Sequence, residues 1–119
     1  MGAMEFYYDE VDHNVLILAA DGGLNRDTAK QFLSEIEALI EAGLKKIVVD
    51  CDRLEYVNSS GLATLVFLHK RMRQRGGDVK VCGVRNPIAK VLEMTKIALL
   101  FDMYPDVSRA RLAFRPKEA

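Results

Sequence analysis

The first half of the chain carries hydrophobic patterns typical of two strands followed by a helix. Apolar segments at residues 5–11 and 15–20 are separated by Asp12-His13-Asn14, a turn-favouring tripeptide, which predicts two strands joined at that point. The tract Asp21-Gly22-Gly23-Leu24-Asn25 is expected to break the second strand. From Arg26 to Gly43 apolar residues recur at three- and four-residue steps, which predicts a helix that Asn25 can cap.

The middle of the chain predicts a buried strand, a turn and an abrupt helix start. A β-branched apolar run within residues 46–52 suits a strand covered on both faces, and residues 53–57 are expected to form a short turn. The next helix is predicted to begin with Asn58, Ser59, Ser60 and Gly61. The first three side chains can accept hydrogen bonds from the unpaired amides of a helix start, and the glycine leaves the surface beside them bare. We expect the function at this junction.

The last third of the chain repeats the alternation. Residues 78–84 predict another strand, and Asn86-Pro87 is expected to open a third helix as a capping residue followed by proline. An apolar segment at 97–103 is interpreted as an edge strand, and Pro105-Asp106 as the start of a final helix. A strand-helix-strand order favours parallel pairing with right-handed crossovers, so the chain is predicted to be one α/β domain over residues 1–119.

Composition narrows the classes of function. The 17 Lys and Arg balance the 17 Asp and Glu, and no basic cluster with interleaved aromatics occurs, so nucleic-acid binding finds little support. No apolar run is long enough to span a membrane, and residues 1–3 do not begin a signal peptide, so we expect a cytoplasmic protein. Residues 1–3 are compatible with a cloning remnant, and residues 115–119 are expected to fray.

The surroundings of the two cysteines and the absence of common catalytic motifs argue against an enzyme. Cys51 and Cys82 lie in apolar, strand-like surroundings, so buried free thiols are expected, with a redox pair or metal site as the minor alternative. Neither a phosphate-binding Gly-x-x-x-x-Gly-Lys loop nor Gly-x-Ser-x-Gly is present. His69 would lie about 15 Å from Ser59 along a helix, too far for a nucleophile and base pair. No catalytic residue, metal site or cofactor is therefore predicted.

One rival signalling fold stays open from these residues. Asp50 and Asp52 at a strand end are similar to the acidic pocket of a response-regulator receiver. Receivers pair such residues with further acids where the first strand meets the first helix. Asp9 and Glu10 lead instead into the predicted turn, so a receiver-like domain is the lesser alternative.

The segment Leu54-Glu55-Tyr56-Val57-Asn58-Ser59-Ser60-Gly61-Leu62 resembles the signature of STAS domains, specifically the stand-alone bacterial anti-sigma factor antagonists. In that family Asp-Ser-Ser-Gly-Leu, or a close variant, opens a helix after a strand. Gly22-Gly23-Leu24-Asn25 is similar to the family's Gly-Glu-Leu-Asp segment. The resemblance implies a single STAS-like domain with a mixed β-sheet of about four to five strands and about four helices packed mainly on one face.

The resemblance also implies a function and a site. Members bind an anti-sigma factor that is also a serine kinase, which phosphorylates the first motif serine, here Ser59, and a serine phosphatase reverses the modification. The partner-binding surface implied for this chain comprises Gly23, Leu24, Asn25, Arg26, Asn58, Ser60, Gly61, Leu62 and Asn86.

Three departures from the family pattern bear on this expectation. Asn58 and Asn25 replace family aspartates, which keeps a capping oxygen and removes a negative charge. Lys96 stands where many members have glycine. The alternative function is therefore a STAS accessory subunit of a larger assembly, such as a lipid transporter, that uses the same face without phosphorylation.

Overall fold

One twisted sheet with helices on both faces forms the framework. The structure, a computed structural model, describes residues 3–114 except for the side chain of Phe32. The elements in chain order are β1 Ala3–Tyr8, β2 Val15–Leu24, α1 Arg26–Glu41, β3 Lys46–Val57, α2 Ser59–Gln74, β4 Asp78–Cys82, α3 Ile88–Met94, a 3₁₀ helix Ile97–Leu100, β5 Asp102–Tyr104 and α4 Val107–Leu112. Residues 1–2, part of the expected cloning remnant, and residues 115–119, the expected frayed tail, lie outside the described residues.

The strands pair in their sequence order, β1-β2-β3-β4-β5. β1 is antiparallel to β2, and every later pair is parallel. Parallel strands need a long crossover connection, because only antiparallel neighbours can be joined by a short turn. Here each parallel pair is joined through a helix. The predicted mixed sheet and its parallel crossovers are confirmed.

The two faces of the sheet are covered unequally. α1, α2 and α3 pack on one face, where their side chains join alternate residues of β2, β3 and β4 in the larger core cluster. The opposite residues of the same strands, with Val48 and Cys82 at their centre, pack against Ala110 of α4. The helices therefore lie mainly on one face, as the resemblance implied, and the short α4 covers part of the other.

Buried charges tie α4 and the sheet edge in place. Arg111 of α4 lies 3.2 Å from the Asp9 carboxylate in the β1–β2 turn, and both side chains are largely buried. Lys80 donates to Asp78 and Asp102 at 3.2 Å each. Burial of the Lys80 ammonium opposes its charge, yet these two hydrogen bonds outweigh burial and raise its pKa.

The position of Asp9 distinguishes the STAS-like fold from the receiver-like alternative. Its carboxylate also accepts bonds from the backbone amides of Val11 and Asp12, which ends β1 at Tyr8 instead of the predicted residue 11. Asp9 lies beside the start of β2, since its amide donates to the Val15 carbonyl, whereas Asp50 of β3 pairs with Ala19, four residues further along β2. The acidic pocket of a receiver is not assembled.

Two further segments differ from the predictions, and the last helix agrees with its prediction. β4 ends at Cys82, two residues early, because Gly83 takes a left-handed φ of 70°. The apolar segment after α3 forms a 3₁₀ helix over Ile97–Leu100, and the edge strand is confined to Asp102–Tyr104. The final helix begins as predicted, with Asp106 accepting from the Arg109 amide as its cap.

Candidate partner-binding site

The site begins where β2 and β3 run on together past the rest of the sheet. The last residue of β3 paired with β4 is Asp50, but β3 continues to Val57 alongside β2, which continues to Leu24. The predicted turn at 53–57 and the predicted break at 21–25 are both wrong. Two register shifts in β2, the second between Gly22 and Gly23, let the glycine-containing strand follow its neighbour instead of leaving the sheet.

Asn25 caps α1, as predicted. Its Oδ1 accepts from the amides of Asp27 at 3.0 Å and Thr28 at 3.1 Å. In return the Thr28 hydroxyl oxygen accepts from the Asn25 amide at 2.9 Å, which completes a capping box. The pattern rule for a capping box looks for Glu or Gln at this position, and so Thr28 was missed. The reciprocal bonds fix the start of α1 at the end of β2.

Asn58 caps α2, again as predicted. Its Oδ1 accepts from the Gly61 amide at 3.0 Å, and its own amide donates to the Leu24 carbonyl at 3.2 Å. Ser59 and Ser60 form the first two positions of the helix and are exposed. Within residues 3–114 neither serine hydroxyl makes a hydrogen bond, because the Asn58 side chain performs the capping. Both hydroxyls are therefore accessible for modification.

Gly61 sets the distance between α2 and β2. A Cβ atom on this buried residue would lie 2.2 Å from the Leu24 carbonyl oxygen and 2.8 Å from Val57 Cγ2. Gly23 is buried too, and a Cβ there would lie 3.2 Å from the Tyr56 ring. Gly23, Leu24 and Gly61 therefore shape the site from within and offer no side chain to a partner.

The exposed part of the site has two hollows on either side of Arg26. One, of about 420 Å³, is lined by Asn25, Arg26, Asp27, Tyr56 and Asn58. The other, of about 440 Å³, is a groove between α1 and α2 lined by Arg26, Ala29, Lys30, Leu33, Ser34, Ser60 and Thr64. Leu62 is half-buried and packs against the larger core cluster. The structure thus brings together Asn25, Arg26, Asn58 and Ser60 from two separate segments.

Tyr56 is a site residue that the sequence analysis missed. It is 53% exposed and stands beside Asn58 at the end of β3. Exposed tyrosines combine a large apolar surface with a hydroxyl, and they are enriched among the residues that dominate binding energy at interfaces. Because Tyr56 was placed in a predicted turn, the signal of an aromatic residue at a solvent-facing strand position was not recognised.

Asn86 does not cap α3, contrary to the prediction. Pro87 occupies the N-cap position, and no side chain bonds to the first turn. The neighbouring Arg85 donates to the Asp52 carbonyl, in the middle of β3, whereas Ser59 follows the end of that strand. Asn86 is exposed in this turn.

The cysteines form no site in the described part of the chain. Cys51 and Cys82 are buried free thiols, as predicted. Burial first, and then the nearby Asp50 carboxylate, raises the pKa of Cys51 to about 12, and the same two causes raise the pKa of Cys82. Within residues 3–114, no three His, Cys, Asp or Glu side chains cluster closely enough to hold a metal ion. No helix of this part has both the length and the apolar character needed to cross a membrane.

Known proteins resemble this chain over most of its length. An anti-sigma F factor antagonist from Paenibacillus polymyxa is 29% identical over 98 residues, which cover 80% of this chain and 84% of that protein. An anti-sigma factor antagonist from Mycobacterium paratuberculosis has the same fold, with a TM-score of 0.81 at 20% identity over 98% of this chain and 96% of that one. The Bacillus cell fate determinant SpoIIAA in its phosphorylated form also has this fold. Its TM-score is 0.73 at 17% identity, and the match covers 93% of this chain and 100% of that one.

A protein-family model also matches most of the chain. The model of the STAS domain matches residues 9–110, which include both capped helices, the paired ends of β2 and β3, and α4 as far as Ala110. The resemblance read from the Asn58 to Leu62 segment is thereby confirmed, and the chain belongs to the STAS domain family.

Proposed function

We propose that this chain is an anti-sigma factor antagonist that acts by binding and not by catalysis. Its partner is an anti-sigma factor with serine kinase activity, which phosphorylates Ser59, and a serine phosphatase restores the binding form in the cytoplasm. The observation that carries the proposal is a pair of exposed serines at the start of α2 in a STAS domain, whose hydroxyls make no hydrogen bond to any residue from 3 to 114. The name of the Paenibacillus relative supports the class of partner.

The structure supports modification of Ser59 without loss of the fold. A phosphate there adds about −1.5 to −2 charges beside a helix N-terminus, which favours anions by roughly 0.3 to 1 kcal/mol. The Asn58 cap does not use the serine hydroxyl, so no bond needs to be broken. The phosphorylated SpoIIAA structure shares this fold, which agrees with the same conclusion.

The same charge acts strongly at an interface. Burying a phosphate dianion against a partner that lacks matching cations costs on the order of several kcal/mol, and each 1.4 kcal/mol is about tenfold in affinity. Phosphorylation of Ser59 therefore releases the partner and leaves the stability of the chain almost unchanged.

The first test is intact-mass spectrometry with peptide mapping after incubation with ATP and each serine-kinase anti-sigma factor of the source genome. We expect one phosphate on Ser59 and none in the Ser59→Ala variant, which should fold normally because Asn58 is the cap. A phosphate on Ser60 would move the acceptor by one residue. A stable complex without phosphate would contradict the switch.

A binding measurement separates charge from fold. Ser59→Asp should weaken kinase binding at least tenfold with thermal stability preserved. Ser108→Asp is the matched control, because Ser108 is also exposed in the first turn of a helix, on the opposite face of the sheet. If Ser59→Asp and Ser108→Asp bind the kinase equally well, the proposed phosphorylation switch is wrong. Co-purification with membrane transport subunits instead of a kinase would favour the accessory-subunit function.

A further inference from the structure

The groove between α1 and α2 has a composition that the proposed switch does not explain. Its lining is almost wholly apolar, with Ala29, Leu33 and Thr64 as the floor. The Thr64 hydroxyl donates to the Ser60 carbonyl at 2.9 Å, so it is already engaged within α2. One end of the groove reaches Ser60, in the first turn of α2, and beyond the other end Arg71 of α2 bonds to Glu37 of α1.

Positive charge surrounds the open end. Arg26 and Lys30, one helical turn apart on α1, both line the groove and are exposed. Across residues 3–114 no carboxylate lies within 4.0 Å of either cation. The nearest acidic residue in sequence, Asp27, lines the hollow on the other side of Arg26.

The helix termini add to this potential. α1 and α2 both begin at this end, after the parallel strands β2 and β3, so the partial positive charges of both N-termini lie together. Their caps, Asn25 and Asn58, are neutral amides; the first turn of α1 contains one acidic residue, Asp27, and the first turn of α2 contains none. An apolar floor with a cationic rim complements an acidic segment that carries an apolar side chain.

We propose that the α1–α2 groove is the docking site for such an acidic segment of the anti-sigma factor. The segment places an apolar side chain over Ala29, Leu33 and Thr64, and its carboxylates pair with Arg26 and Lys30. This inference rests on the proposed function and adds the chemistry of the partner. It also gives the switch a direction, since a phosphate at the serine end of the groove repels the acidic segment.

The test is isothermal titration calorimetry of the full chain with the anti-sigma factor. Lys30→Glu is compared with Lys90→Glu, an exposed lysine on α3, so that both variants change the net charge equally. We expect Lys30→Glu to weaken binding at least tenfold, because a reversed charge would face the partner's carboxylates, and Lys90→Glu to stay within twofold of the wild type. Affinity of the wild type should also fall as salt is raised.

The remaining outcomes separate the two proposals. If Lys30→Glu binds as well as Lys90→Glu, or better than the wild type, the groove inference is overturned and the antagonist function stands. If the wild-type chain binds none of the anti-sigma factors of its genome, the antagonist function fails and the inference fails with it.

Discussion

Replacement of Gly61 by alanine tests how the site is built. In an ordinary helix Gly→Ala stabilises by about 0.5–1 kcal/mol, so without steric conflict this variant would be more stable than the wild type. Here the new Cβ would lie 2.2 Å from the Leu24 carbonyl oxygen, against 3.4 Å or more for an ordinary contact. The start of α2 must therefore move away from β2 by about 1 Å.

That movement has two costs. Forcing an extra methyl into a packed position costs about 1–3 kcal/mol, and the bond from the Asn58 amide to the Leu24 carbonyl, about 0.5–1.5 kcal/mol, is lost or lengthened. After subtraction of the helix-propensity gain, we expect Gly61→Ala to destabilise the chain by about 2 kcal/mol. Urea unfolding followed by circular dichroism would show a midpoint lower by about 1 M.

Gly43→Ala is the control for a glycine whose role is conformational. Its φ is 113°, so an alanine there would be strained by about 1–3 kcal/mol. Because the new Cβ would meet nothing within 4 Å, this substitution should not displace the start of α2. Gly61→Ala should therefore lose partner binding as well as stability, whereas Gly43→Ala should lose stability alone. A Gly61→Ala variant as stable as the wild type would refute the steric argument.

Three further outcomes follow from single residues. Lys96 has a left-handed φ of 62°, so Lys96→Gly should stabilise the chain by about 0.5–1 kcal/mol in thermal unfolding; a lower midpoint would contradict this. Tyr56→Ala should weaken partner binding about tenfold or more in calorimetry with little change in stability, and unchanged affinity would remove Tyr56 from the interface. The raised pKa values of Cys51 and Cys82 mean that the unfolded thiols ionise first, so stability should fall by about 1 kcal/mol per thiol per pH unit above about 9; Cys82→Ala should reduce this slope in urea unfolding at stepped pH.

Local chemistry allowed the helix starts to be predicted. Asn25, Asn58 and Asp106 each stand before an apolar-periodic segment, and each caps the helix expected of it. A cap requires only its own side chain and the next three amides, so the sequence contains all the information. Asn86 failed because the following proline took the N-cap position itself.

The strand ends were mispredicted because they depend on a neighbouring strand. Gly22 and Gly23 favour a break when considered alone, and Arg53 to Val57 is too polar for a buried strand. Paired with one another, the two segments satisfy each other's backbone groups and extend both strands to the site. The groove beside Ser60 could not be predicted from the sequence either, because Lys30 and Thr64 come to line the same groove only through the packing of α1 on α2.

The division of tasks at the α2 start would allow the proposed phosphorylation of Ser59 to change recognition without unfolding the chain. Asn58 satisfies the free amide of Gly61, and Gly61 sets the contact with Leu24, so folding is complete without any serine hydroxyl. The exposed Ser59 is then free to carry charge. A protein that capped this helix with the modified serine would lose about 1 kcal/mol of helix stability whenever the cap was altered. Here the residue that holds the helix and the residue proposed to accept phosphate are adjacent but separate, so phosphorylation can act on the partner alone.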